Sequence, residues 1–268
     1  MLPVWLTDTV TSNLDRAIHY TLLWGLEGVE LRTVGTPSNR VPFVNEEKLR
    51  RRMAEHTLPI VAVVPGLFEG KESDRSTWMN EVAGLDDILQ FCRRIGCPRI
   101  ITSGFSGDFD SGSVDAAIDA LRTAGRAAAS YGITIAVLNE ANMARPTATD
   151  VLDLIEAVDH PAVRLAWSPC DAYRNGERPS SVVERIAPHL SYVRVADVRL
   201  EEDGFHPTPI GQGDVGWPQL LHELHERGYD GPVSLEVHIE PKAKYGLFDA
   251  TQIIQLLRQV GRSKAEAV

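Results

Sequence analysis

The chain has 268 residues, 43% of them hydrophobic and 24% charged, with a formal net charge of −10. That is ordinary globular composition at the usual length of one (β/α)8 barrel, with enough apolar residues for a sizeable core. The acidic balance opposes a polyanion, and no stretch approaches the roughly 18 apolar residues that span a bilayer, so neither nucleic acid nor membrane is an expected partner.

Three cysteines, Cys92, Cys97 and Cys170, lack C-x-x-C spacing and are odd in number. That favours free thiols in a reducing compartment, and with no leader-like pattern at the N-terminus the expected location is cytoplasmic.

Short strand-like runs alternate with helical patterns along the chain. Pro3–Thr7 is the first compact apolar run, and Ser12 can cap a helix reaching Trp24. Gly28–Arg32 reads as the second strand, Asn45–His56 as a helix and Leu58–Val64 as the third strand, ended by Pro65-Gly66. The basic run Arg50-Arg51-Arg52 lies in that helix beside Glu46, Glu47 and Glu55, the pattern of a solvated face.

Helical spacing over Asp74–Ile95 leads to a fourth strand, Arg99–Thr102, and a Gly/Ser/Asp loop, Ser103–Ser113, whose Asp108 and Asp110 argue against a phosphate cradle. An Ala-rich helix, Val114–Tyr131, precedes the fifth strand, Ile133–Leu138. Thr147 with Asp150 three residues on opens the next helix as a capping-box variant.

Val163–Trp167 is the sixth strand, Ser180–His189 a helix, Tyr192–Val198 the seventh strand, Gly216–Arg227 a helix and Val233–Val237 the eighth strand. A last helix covers Phe248–Val260, with a charged, frayed tail after it. Trp5 and Trp167 read as barrel packing. His222 and His225 have H-x-x-H spacing, not that of a zinc helix, and read as surface.

Eight strands, each followed by a helix, make a single (β/α)8 TIM barrel over residues 1–268, with no linker to mark a second domain. A Rossmann-type sheet is disfavoured, because no G-x-G-x-x-G follows the first strand. In a barrel the chemistry sits at the C-terminal strand ends. Those ends place Glu30, Arg32, Glu140, Asp171, Arg194, Asp197, Glu236 and His238 at the mouth.

The sequences Gly28–Leu31 (GVEL), Tyr131–Val137 (YGITIAV), Gly211–Trp217 (GQGDVGW) and Gly228–Glu236 (GYDGPVSLE) span nearly the whole chain, the last two being the most specific. They are similar to those of the xylose isomerase-like TIM barrels, a superfamily of sugar-phosphate isomerases and epimerases. Ketose 3-epimerases, inosose dehydratases and AP-endonuclease type hydrolases belong to it.

The resemblance implies a divalent cation, often manganese. Its ligands would be a Glu ending the fifth strand, an Asp ending the sixth, a His on the seventh and a Glu ending the eighth. It also implies proton transfer at carbons next to a carbonyl. Carried over by position, the four ligands fall on Leu138, Ser168, Arg194 and Glu236, and the His that usually follows the sixth-strand Asp falls on Asp171.

Only Glu236 keeps the pattern. One carboxylate beside a fixed cation cannot hold a labile divalent ion, so no cofactor is expected. A rebuilt metal site would have to draw on Glu140, Asp171 and His238, which share strand faces with the vacated positions or reach inward.

Arg194 then has two readings. Its guanidinium can stand in for the cation, binding a developing enediolate while Glu236 acts as general base with Glu140 or Asp171 as partner. Alternatively it pairs with Glu236 and fills a vacated cavity without chemistry. Glu30 and Arg32 either approach the substrate or form an internal ion pair, and Asp197 either orients Arg194 or caps the following loop.

The expected function is isomerase- or epimerase-like proton transfer on a small polyhydroxylated carbonyl compound, with catalytic Glu236 and Arg194. Glu30, Arg32, Glu140, Asp171, Asp197 and His238 would bind this carbohydrate-like ligand, and no metal would be needed. The alternative is a degenerate barrel that binds a sugar-like ligand or a protein partner without turnover. A DNA-repair hydrolase lacks its multi-histidine zinc cluster and basic face here. The resemblance also allows a homodimer.

Overall fold

The computed structural model describes residues 1–36, 39–70, 75–106 and 111–266. Eight parallel strands close into a barrel: β1 (Leu2–Leu6), β10 (Pro232–Leu235), β7 (Leu190–Val195), β6 (Val163–Trp167), β5 (Thr134–Leu138), β4 (Arg99–Ser103), β3 (Ile60–Val63) and β2 (Val29–Leu31). The expected (β/α)8 architecture is the observed one. Among the described residues no helix is long and apolar enough to cross a membrane.

Alternation along each strand divides the apolar residues into two sets. Val4, Leu6, Ala62, Ile101, Ala136, Leu138, Ala166 and Tyr192 fill the bore. Their neighbours, such as Val29, Ile135, Leu165 and Val193, join a larger cluster with the surrounding helices. Trp5 and Trp167 are fully buried in that outer layer, where Trp5 meets Trp24 edge-on at 4.7 Å, so both are packing residues.

Helix starts follow local side-chain chemistry. Thr147 and Asp150 form a reciprocal capping box at α5 (Ala148–Val158). The α5 N-terminus also donates to Glu177, from Ala148 N at 2.9 Å and Thr149 N at 3.0 Å, a favourable place for a carboxylate. Helix α1 (Leu14–Trp24) is capped by Asn13, not by the expected Ser12, whose hydroxyl instead reaches the Gly35 carbonyl. Arg52, in α2 (Glu46–Glu55), pairs with Asp15 and Glu55, as a solvated face should.

Several elements depart from the sequence reading. The seventh strand stops at Val195, and Asp197–Glu201 (β8) turns away to pair antiparallel with Gly204–Thr208 (β9). A short helix, α6 (Pro169–Arg174), follows β6 directly. The helical pattern expected over Ser180–His189 divides into α7 (Pro179–Ile186) and a 3-10 turn (Ala187–His189). Helix α8 (Trp217–Glu226) starts close to its expected place, and the last helix, α9 (Lys242–Glu266), begins earlier and ends later than expected. Asp108 and Asp110 lie outside the described residues.

Asn139 ties the mouth ends of β5 and β6 together. Fully buried, it accepts from Ser168 N (2.8 Å) and donates to the carbonyls of Ser168 (2.9 Å) and Pro146 (3.1 Å). Removing it strands buried backbone groups, at about 1–3 kcal/mol for each unsatisfied group. Asn139→Ala should therefore lower the urea midpoint by several times the shift of Thr147→Ala, a cap loss of about 1 kcal/mol. Equal shifts in the two variants would show that this tie carries no special weight.

Candidate functional site

The C-terminal mouth of the barrel opens on a cavity of about 360 Å³. Glu140, Ser168, Asp171, Arg174, Arg194, Glu236 and His238 line it, with Ala141, Met143, Cys170, Ala196, Val198, Phe205 and Pro207 as apolar wall. Four of the expected residues besides Arg194 and Ser168 therefore meet in one place: Glu140, Asp171, Glu236 and His238. Glu30, Arg32 and Asp197 do not line it.

Glu30 lies deeper, fully buried in the bore. Its Oε2 accepts from the Ser234 hydroxyl (2.7 Å) and the Tyr192 hydroxyl (3.1 Å), and its Oε1 accepts from Arg194 Nη2 (2.5 Å). All three donors come from β7 and β10, where the register sets Ser234 beside Arg194. The internal ion-pair reading of Glu30 is the one observed, with Arg194 rather than Arg32 as its partner. Arg32 is engaged by Asp8 at 2.9 Å.

Arg194 stands between Glu30 and the cavity. Its Nη1 lies 3.6 Å from Glu140 Oε1, and Glu140 is steadied by the Ser103 hydroxyl at 2.6 Å. Burial weakens the guanidinium's hold on its proton, but Glu30, Glu236 and Glu140 more than reverse that, so the cation is permanent. The direct pair between Arg194 and Glu236, one of the two readings of Arg194, is not formed, because β-register places Glu236 one pleat beyond Ser234. Glu236 instead meets His238, Nε2 to Oε2 at 3.6 Å.

Two carboxylates at the mouth are driven apart in acidity. Burial raises Glu236, but the nearby charges of Arg194, His238 and Arg32 outweigh it and hold the carboxyl at about 2. Burial and the negative charge of Glu236 push Asp171 upward from its ordinary value, against the Ser168 hydroxyl and Arg174. Asp171 is placed by α6: Ser168 caps that helix, donates to Asp171 Oδ2 (3.0 Å), and Arg174 stands one turn on, 3.5 Å away.

Asp197 serves the loop rather than the cavity. Its oxygens accept from the backbone N–H groups of Val198 (3.0 Å), Gly211 (2.9 Å), Gly213 (3.1 Å) and Val215 (3.3 Å). Of its two expected roles, the loop cap is the observed one. Gly213 has to be glycine, since a Cβ there would come within 2.2 Å of Asp197 Oδ1 and 2.5 Å of the Val198 carbonyl.

The strand-end segment Ser168–Arg174 was expected at the mouth without a role for Arg174, and the side chains of the β8–β9 hairpin were not foreseen. Arg174 comes from α6, and Phe205 and Pro207 come from the β8–β9 hairpin, with Phe205 resting edge-on against Tyr173 at 5.8 Å. The signals were present. Ser168-Pro169 with Asp171 three residues after the cap repeats the logic of Thr147 and Asp150, and Asp203-Gly204 is a hairpin turn pair.

A divalent ion needs several donor atoms converging on one point. Among the described residues, Glu201, Asp203 and His206 on the exposed hairpin are the one group of three such side chains with donor atoms within 4.8 Å of one another. Glu140, Asp171, Glu236 and His238 form no such group, and a buried guanidinium stands among them. The donor atoms of these four mouth side chains do not converge on one point as they stand.

A family model described as "Xylose isomerase-like TIM barrel" matches residues 19–261. Inosose dehydratase of Geobacillus kaustophilus is 21% identical over 269 residues, covering 88% of this chain and 85% of its own. An L-ribulose 3-epimerase structure superimposes with a TM-score of 0.81 at 16% identity, covering 99% of this chain and 97% of that one. A xylose isomerase-like TIM barrel protein from Mycobacterium smegmatis, solved in complex with magnesium, gives 0.73 at 17% identity over 91% and 88% of the two chains.

A buried pair broken on one side leaves a bare charge, which costs about 3–5 kcal/mol, whereas replacing both partners is often neutral. Arg194→Met and Glu30→Gln should each lower stability by that order, and the double variant should recover most of it. Chemical denaturation of the four proteins measures this coupling, and additive losses would show that the two groups do not act as a pair.

Proposed function

The chain belongs to the xylose isomerase-like TIM barrel family, and from that premise we propose that it moves a proton beside the carbonyl of a small polyhydroxylated ketone without a divalent cation. The observation that carries the reading is the mouth itself. There a permanent guanidinium faces one carboxylate held ionised and another that retains its proton to higher pH.

Environments that push two titratable groups apart assign acid and base roles. Arg194 binds the carbonyl oxygen and stabilises the negative charge that develops on it as the neighbouring C–H bond breaks. Glu236 takes that proton. It is a weak base while Arg194 and His238 stabilise it. Its basicity rises once the substrate oxygen shares the Arg194 charge. Asp171 returns a proton to the enediolate, and Arg174 and Glu140 hold the substrate hydroxyls. The substrate class is supported by the relatives, an inosose dehydratase and an L-ribulose 3-epimerase, whose names both point to polyhydroxylated ketones.

Incubation in D2O with a panel of inososes and ketoses, followed by NMR, reads the first step as deuterium entering beside the carbonyl. Glu236→Gln should slow exchange by about 10²–10⁴-fold, the usual contribution of a positioned acid or base. Asp171→Asn should slow product formation more than exchange. It should also remove the fall in rate that sets in as rising pH deprotonates Asp171. Full exchange in Glu236→Gln would sink the proposal.

A second reading, ligand binding without turnover, is favoured by the hold of Glu30 on Arg194. It requires that the unsubstituted protein bind a panel member and exchange no proton.

A further inference from the structure

At the opposite, N-terminal end of the barrel lies a second cavity, of about 340 Å³, lined by Arg99, Arg164 and Arg227 together with Ser191, Tyr229 and Asp230. Arg99 opens β4, Arg164 stands near the start of β6, and Arg227 follows α8. The strand length between this cavity and the catalytic mouth is roughly 15 Å.

In a chain of net charge −10, these three cations have no carboxylate within ion-pair distance among the described residues. Asp230, the acid on the wall, is exposed and pairs with none of them. Each guanidinium offers five N–H donors and, among the described residues, makes a single hydrogen bond, to a backbone carbonyl. Arg99 donates to Val61 (3.1 Å), Arg164 to Pro188 (2.5 Å) and Arg227 to Glu223 (3.4 Å).

Arg99 Nε is buried with no hydrogen-bond partner among the described residues, while the same guanidinium lies 5.5 Å from the centre of the Tyr192 ring. Burial loosens the proton of Arg164, and no carboxylate opposes that effect. Three like charges lining one concavity repel one another, with unused planar donor forks beside them. Such an arrangement is stabilised by an anion that presents several oxygens.

We propose that this cavity is a binding site for a compact oxyanion of the phosphate class, either inorganic phosphate or the phosphoryl group of a small phosphomonoester. Arg164 and Arg227 hold it from the rim and Arg99 from the floor. The site is independent of the chemistry at the mouth.

Isothermal titration of the full chain in a chloride buffer, with inorganic phosphate and separately with glycerol 1-phosphate, tests this. One equivalent should bind, and Arg164→Gln and Arg227→Gln should each weaken binding at least about tenfold. Arg227 is exposed, so its variant carries the test should Arg164→Gln fail to fold. Arg174→Gln, at the catalytic mouth, should leave the phosphate affinity unchanged. Tighter binding of the monoester would identify a phosphorylated metabolite as the ligand, and equal or weaker binding would identify phosphate itself. Absence of binding, or binding lost in Arg174→Gln but kept in Arg164→Gln and Arg227→Gln, would overturn the assignment.

Discussion

The guanidinium of Arg194, buried with 4% of its side chain exposed, is the constraint around which the barrel's interior is arranged. A charge so placed is costly unless it is paired and its donors are used. Glu30, reaching across the bore from β2, supplies the pairing, and Tyr192 and Ser234 supply hydrogen bonds to the carboxylate oxygen that Arg194 leaves free. Polar residues in the bore are thus one network, satisfied from strands that the barrel closure brings together. The same cation extends its field outward, where it accounts for Glu236 remaining ionised although burial opposes it.

That field also explains what the mouth is suited to do. A divalent ion and a guanidinium both stabilise oxygen anions, but they set opposite demands on their surroundings. The ion requires converging ligands, whereas the guanidinium brings its own fixed donors and requires only that some stay unclaimed. Arg194 spends Nη2 on Glu30 and has Nη1 3.6 Å from Glu140, while its buried Nε has no partner among the described residues. Donor capacity therefore remains for a ligand oxygen. Glu140 approaches it on the cavity side, and Asp171 and Glu236 line the same cavity.

Much of this was legible in the sequence, and the limits are instructive. Strand and helix alternation gave the barrel because period-two and period-3.6 patterns are local. Glu140 and His238 were placed at the mouth by the same alternation, counted outward from Leu138 and Glu236. What alternation cannot supply is register between strands distant in sequence. It fixes which face Arg194 and Glu236 share but not that Ser234 is the residue beside Arg194, so pairing with Glu236 stood as one of two readings of Arg194, whereas its observed partner is Glu30, 164 positions away. Element boundaries failed where one apolar run served two elements: Tyr192–Val198 reads as a single strand, yet Asp197 leaves the barrel to organise the Gly211–Val215 loop.

The departure at Asp197 ties the loop chemistry to the shape of the cavity. With its carboxylate taken by four backbone N–H groups, the chain turns at Ala196, and the β8–β9 hairpin swings Phe205 and Pro207 across the mouth. Trp217 reinforces the turn by donating its indole N–H to the Ala196 carbonyl at 2.9 Å. The Gly211–Trp217 run, GQGDVGW, therefore acts on the site at one remove. Gly213 admits the Asp197 carboxylate, Asp197 anchors the chain where the hairpin begins, and the hairpin supplies Phe205 and Pro207 to the apolar wall of the cavity. The most specific motif in the chain therefore shapes the cavity through Asp197 and the hairpin, without itself lining it.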